Sequence, residues 1–210
     1  MKKLYALLFT VVILTPTISF GQNDPNAKKV LDGLSDKIKS SKGISVLFSL
    51  KSITNKGKTN GVKTGTLSVK NSKYYLKQGK NEIICDGIKV YNYDGNKTVT
   101  VSSVEESEQT LSPQKLLSGS YGKDFTYKLT SSNGKYNQIE LMPVDKRKAF
   151  QKVILYIDKA KNFITKADII DKNNNTTEAV FSNVNTNATL SDKLFVFNKS
   201  KYPADVDILD

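Results

Sequence analysis

The sequence predicts a mainly antiparallel β protein in which one strongly curved sheet of about ten or eleven short strands wraps two helices. Three observations carry this. From Gly43 onward apolar residues recur at alternate positions, as in Ile44, Val46, Phe48 and Leu50, the period of a half-buried strand. Nearly every such segment ends in a tight-turn pair, such as Asp86-Gly87, Asp94-Gly95 or Asn133-Gly134, which joins antiparallel neighbours. Only two segments read as helix. With 210 residues, 38% of them hydrophobic, the chain suits one globular domain.

The first residues read as an address. Lys2 and Lys3 precede the apolar run Leu4 to Leu14; Pro16 and then Ser19-Phe20-Gly21 follow. This is the pattern of a signal peptide cut after Gly21, and the run is too short for a spanning helix. The expected organisation is a signal peptide over 1–21 and a single domain over 22–210, exported to the periplasm or the cell exterior.

Asp24-Pro25 offers an N-cap and a proline at the first helical position. Val30, Leu31, Leu34 and Ile38 then form a helical stripe, so 24–41 reads as an amphipathic helix stopped by Gly43. The strand at Ile44 to Leu50 follows, then a turn bracketed by Gly57 and Gly61. Further strands carry Leu67 and Val69, Tyr74 and Leu76, Glu82 to Cys85, Ile88 to Tyr93, and Val99 and Val101. The alternation then breaks. Ser112-Pro113, the pair Leu116-Leu117 and Gly119 read as a short mid-chain helix. Strands resume with Phe125, Tyr127 and Leu129, then Ile139 to Pro143, Val153 to Ile157, Ile164 to Ile170 and Ala179 to Val184. The tail carries Phe195, Phe197, Pro203 and Ile208.

Composition excludes much chemistry. The chain has no His, one Cys (Cys85) and one Arg (Arg147). A Ser-His-Asp or Cys-His couple, a His-ligated zinc and an internal disulfide are therefore excluded. The carboxylate pairs Glu105-Glu106 and Asp168/Asp171 lack the spacing of a glycosidase or metal site. Asp171 to Asn175 lacks the Gly and Glu of a calcium loop and reads as a turn. Cys85 alternates with Ile83 and reads as a buried thiol. No enzyme activity, cofactor or metal is expected. The net charge of +12, from 32 basic and 20 acidic residues, comes from scattered lysines. That spacing and the near absence of Arg argue against nucleic acid.

The candidate binding residues are a collective set. Val46, Phe48, Leu50, Leu67, Val69, Tyr74, Leu76, Tyr91, Val99, Phe125, Tyr127, Leu141 and Leu155 are expected on inner strand faces, with Leu116 and Leu117 of the short helix above them. Periodicity leaves two readings of this set, a filled core and an apolar ligand cavity.

An ordered series of segments adds a resemblance. It runs from Gly65-Thr66-Leu67-Ser68-Val69-Lys70 through Lys73-Tyr74-Tyr75-Leu76 and Asp86 to Asp94. Ser112-Pro113 with Leu116-Leu117, Ile157-Asp158 and Ile164-Thr165-Lys166 follow. It closes on Phe181-Ser182-Asn183-Val184, Phe195-Val196-Phe197, Pro203 and Asp205 to Ile208. Across the exported chain this resembles the periplasmic outer-membrane lipoprotein carriers, the LolA type. The resemblance implies an incomplete, unclosed antiparallel β-barrel with helices as a lid over an apolar cavity. It implies a monomeric carrier, not an enzyme, that ferries acylated lipoproteins from an inner-membrane ABC transporter to an outer-membrane acceptor. A lipid- or lipoprotein-sensing module on the same fold is the alternative. Where the family often has an Arg-Pro pair, this chain reads Asn71-Ser72. An arginine-locked lid is therefore not expected, and contacts of Leu116 and Leu117 with Val30, Leu31 and Leu34 are expected to hold the lid.

Overall fold

A computed structural model of the chain describes residues 23–107, 111, 113–117 and 121–210. The expected signal peptide, and Ser112 and Gly119 at the ends of the mid-chain helix, lie outside the described residues.

Helix α1 (Pro25–Lys39) opens the fold, two residues shorter at its end than the apolar stripe suggested. Asp24 caps it by accepting the Asn26 amide proton at 2.8 Å, and Pro25 starts the first turn. Ser40 closes it, and the hydroxyls of Ser40 and Ser41 both donate to the Lys37 carbonyl. Gly43 is not the stop. Its missing Cβ lets the Ala188 backbone approach: a Cβ there would lie 2.7 Å from the Ala188 carbonyl oxygen, and the Ala188 amide donates to the Gly43 carbonyl.

The strands are β1 (Ile44–Ile53), β2 (Thr59–Lys70), β3 (Lys73–Gln78), β4 (Asn81–Cys85), β5 (Lys89–Tyr93) and β6 (Thr98–Ser103). After the helices come β7 (Phe125–Ser131), β8 (Tyr136–Pro143), β9 (Phe150–Asp158), β10 (Phe163–Asp171), β11 (Thr176–Asn185) and β12 (Asp207–Leu209). They form one sheet in the order β12-β6-β5-β4-β3-β2-β1-β11-β10-β9-β8-β7, with β12 and β7 at its two edges. The barrel is therefore open. Two hairpin arms, β2 to β6 and β7 to β10, meet where β1 pairs with β11.

Three details depart from the sequence reading. The turn after β1 is Thr54–Lys58, and Gly61 lies within β2. There Asn60 and Gly61 together face Ser52 alone, a bulge made by the positive φ of Gly61. Glu105 and Glu106 lie in a one-turn helix, α2 (Val104–Ser107), beyond the two helices read from the sequence. Ser103 Oγ accepts from the Glu106 amide and the Glu106 carboxylate accepts from the Ser103 amide, a reciprocal capping box. Last, β12 pairs with β6 in parallel, so the sheet is mixed. The tail reaches that edge through 3-10 turns at Asp192–Phe195 and Lys199–Lys201, not through a hairpin.

The other edge is capped. Asn23 Oδ1 accepts from the Tyr127 amide, Asp24 Oδ2 from the Leu129 amide, and the Asp24 amide donates to the Tyr127 carbonyl. The start of α1 thus occupies backbone groups of β7 that would otherwise template aggregation. The Leu129 hydrogen bond holds the Asp24 carboxyl below its ordinary range, with the Asn26 bond assisting against partial burial.

The concave side holds the main core. Ala27, Leu31 and Leu34 of α1 join Val46, Phe48, Leu67, Tyr74, Leu141, Leu155 and Ile157 in one continuous cluster. The tail covers the outer face of the first arm. Val99, Val101 and Val206 are buried there with Tyr91, Tyr93, Phe197 and Tyr202 against them. The Tyr91 and Phe197 rings stack at 4.7 Å.

Candidate apolar ligand cavity

Between the concave face and the mid-chain segment lies an apolar cavity of about 240 Å³. Phe48 and Leu50 come from β1, Leu67 from β2 and Leu76 from β3; Ile169 comes from β10, and Thr177, Ala179 and Phe181 come from β11. Leu111 and Leu116 cover it from the segment that contains helix α3 (Pro113–Leu117). Among the described residues Thr177 is the one polar member of this lining.

The register explains the wall. Phe48 pairs with Phe181 on one side and with Gly65 on the other, and Leu50 pairs with Ala179. Leu67 pairs with Leu76. Alternation then puts Phe48, Leu50, Leu67 and Leu76 on one surface. The missing side chain of Gly65 makes space for the Phe48 ring, and the small Ala179 lines the cavity among the large residues.

Five of the fifteen predicted residues line this cavity: Phe48, Leu50, Leu67, Leu76 and Leu116. Val69 and Leu117 line a second cavity of about 260 Å³ with Ile38, Ile44, Lys70 and Asn71. The adjacent leucines of α3 therefore face different spaces. Phe125 lines a small cleft beside Lys115, Asp124 and Phe150. Val46, Tyr74, Leu141 and Leu155 are buried in the filled core, and Tyr127 is half-buried against it.

Tyr91 and Val99 are corrected. They lie on the opposite, convex face, under the C-terminal tail. Inward parity passes from Cys85 through its partner Val90, and in β5 and β6 the inward positions include the polar Asn92, Thr100 and Ser102. The apolar side of the sheet thus changes face along the first arm. A second wall, the tail, makes that change favourable, and alternation carries no mark of it.

Sequence reasoning missed Leu111, Ile169, Thr177, Ala179 and Phe181. Ile169, Ala179 and Phe181 were legible as members of alternating runs. Their juxtaposition to Phe48 depends on β1 pairing with β11 across more than a hundred residues.

The cover is anchored at its far end. Tyr121, 2% exposed, donates its phenol proton to the Leu116 carbonyl at 2.5 Å, and burial pushes its phenol upward in pKa. Lys115 pairs with Asp124. Helix α3 packs on β3, while α1 packs on β7 and β10. Leu116 and Leu117 share one core with Val30, Leu31 and Leu34, but Ile38 is the α1 residue that shares a cavity wall with Leu117.

Asn71 has a local role. It is the first residue of the two-residue turn closing Lys70 onto Lys73, with φ of +56°, a conformation Asn tolerates better than most side chains. Lys70 reaches away from it to Asp192 at 2.9 Å and ties β2 to the tail.

Cys85 is fully buried, its thiol pushed up in pKa by desolvation, and it donates to the Ser72 carbonyl at 3.7 Å. Asp168 sits in an ion network with Lys166 and Glu178 on the convex face, and accepts the Tyr156 phenol. Among the described residues no group of three or more His, Cys, Asp or Glu side chains could hold a metal ion. No described helix is long and apolar enough to cross a membrane.

The model of the outer membrane lipoprotein carrier protein LolA family matches residues 39–198, from the end of α1 to the tail on the convex face. This chain belongs to the LolA family. Strands β1 to β11, helix α3 and the residues that line the cavity all fall inside the matched span, and β12 lies beyond it. Solved structures are similar at low identity. A protein from Thermus thermophilus is 11% identical with a TM-score of 0.57, covering 88% of this chain and 98% of its own. A LolA superfamily protein from Nitrosomonas europaea is 13% identical with a TM-score of 0.48, covering 81% of this chain and 97% of its own. MucB is 13% identical with a TM-score of 0.48, covering 90% of this chain and 67% of its own. No curated protein matches.

Proposed function

We propose that this LolA-family protein is a periplasmic carrier that takes acyl chains of lipoproteins into the cavity under α3. The observation that carries the reading is the lining itself: Phe48, Leu50, Leu67, Leu76, Leu116 and Ile169 around a space with a single hydroxyl among the described residues. Such a wall satisfies no polar headgroup and favours hydrocarbon, at about 0.8 kcal/mol per buried CH₂.

At about 240 Å³ the cavity is smaller than the ~300–1,000 Å³ of common ligand pockets. Loading a full chain therefore requires the Leu111–Leu117 segment to lift. Outward movement of Leu116 and Leu117 joins this space to the neighbouring one under Asn71. No covalent step is involved, and uptake and handover are exchanges between apolar sites of different depth. The reading includes export by the segment 1–21, one domain over 22–210, a monomeric state, an inner-membrane ABC transporter as donor and an outer-membrane acceptor.

Native mass spectrometry of the protein isolated from its own periplasm tests this. A lipoprotein bound at near one-to-one is expected. An empty chain that also fails to strip lipoproteins from spheroplasts would overturn the carrier reading in favour of a sensing module.

A further inference from the structure

The ladder between β10 and β11 runs from Ile170/Thr176 to Lys166/Val180 and stops there. Both strands continue beyond it. Residues 163–165 stay with β9, and residues 181–185 stay with β1. A bulge marks the split on each side. Thr165 is an extra residue opposite the Tyr156–Ile157 step, and Asn183 and Val184 together face Val46 alone. Asn183 adopts a φ of +50° there. Bulges bend and twist a strand locally, and this pair turns β10 and β11 away from each other.

Between the two unladdered edges lies a cleft of about 520 Å³. Lys37 of α1 and Lys161 stand at it, with Phe163, Thr165, Phe181 and Asn183 in its wall, and among the described residues no carboxylate lines it. Phe181 is also a wall of the apolar cavity, so the two spaces share a partition.

We propose that this split receives, as an extended strand, the acidic polypeptide segment that follows the acylated residue of the cargo. The inference rests on the carrier reading. Two facing backbone edges offer donors and acceptors that an added strand satisfies. The two ammonium groups select carboxylates on it. The partition at Phe181 sets the peptide beside its own acyl chains, so one ligand spans both sites and gains from their linkage.

The test uses the exported chain and three probes: a diacylated lipopeptide with an Asp-rich segment, the same lipopeptide with Lys replacing Asp, and the diacylglyceryl-cysteine alone. The protein is expected to bind the acidic lipopeptide about tenfold more tightly than the basic one. Lys37→Glu/Lys161→Glu is expected to reverse that order while leaving affinity for the lipid alone unchanged, which also reports an intact fold. Lys56→Glu/Lys58→Glu, on the distant β1–β2 turn, is expected to keep the order. Hydrogen exchange is expected to slow at 163–165 and 181–185 with the acidic lipopeptide and not with the lipid alone. Equal affinity for all three probes would overturn the split as a peptide site and leave the carrier reading standing. Failure to bind any of them would remove both.

Discussion

Phe48 and Gly65 face each other across the β1–β2 ladder, and a Cβ on Gly65 would lie 2.5 Å from the Phe48 ring and closer still to the Lys77 carbonyl oxygen. The ring occupies the space that the glycine leaves, and it is also a wall of the apolar cavity. Gly65→Ala is therefore expected to push Phe48 off its position and to strain the β2–β3 ladder. A loss of about 1–3 kcal/mol in denaturant unfolding is expected, together with weaker binding of a fluorescent fatty acid. Wild-type stability and affinity in this variant would show that the ring does not depend on the gap.

The bond from Tyr121 to Leu116 predicts a phenotype confined to the lid. Tyr121→Phe keeps the ring against Phe125 and removes one buried hydrogen bond, at a cost of about 1–2 kcal/mol. Exchange in 113–117 is expected to accelerate more than exchange in β8 or β9. Leu116→Asp/Leu117→Asp goes further by placing charge in both cavities, and acyl ligand release is expected to speed up about tenfold or more. Stopped-flow displacement reads this directly, and unchanged release would remove α3 from the gate.

Asp24 predicts an acid-sensitive edge. Its folded pKa is held below the unfolded value of about 3.9, chiefly by the Leu129 amide. Its contribution to stability is thus present above that unfolded value and is lost as pH falls through the depressed folded one. The amide NMR signals of Leu129 and Asn26 are expected to titrate together, with a midpoint below the ordinary aspartate value. Asp24→Ala is expected to abolish that titration and to cost about 1 kcal/mol through loss of the cap. A midpoint at or above the ordinary value would contradict the assignment.

On the convex face, burial and then Glu82 push the Tyr202 phenol up to about 12; its hydroxyl donates to Glu82 at 3.3 Å. Unfolded tyrosine ionises near ~10. The tail's anchorage is therefore complete below that value and is lost as pH rises toward about 12. Limited proteolysis within 196–206 is expected to become faster over this range in the wild type. In Tyr202→Phe the same rise is expected to be much smaller.

Asn71 predicts a turn defect rather than a ligand defect. Asn71→Val forces a β-branched residue to positive φ and is expected to cost about 1–2 kcal/mol. Asn71→Gly is expected to preserve both stability and acyl affinity. A binding loss in the glycine variant at normal stability would give the Asn71 side chain a role at the lid.

The local elements were legible from their own residues. Asp24-Pro25 and the Val30–Ile38 stripe announce α1, Asn71-Ser72 and Asp94-Gly95 announce turns, and alternation assigns Phe48, Leu50, Leu67 and Leu76 to a common face. Local chemistry suffices there, because caps, turn dihedrals and strand period are set by residues within a few positions of one another. The meeting of Phe48 with Phe181, the burial of Tyr91 and Val99 under the tail, the parallel pairing of β12 and the parting of β10 from β11 were decided only by the tertiary structure. Each depends on which distant segment covers a face or pairs with an edge. A period of two says that neighbours point to opposite sides, and says nothing of what waits on either side.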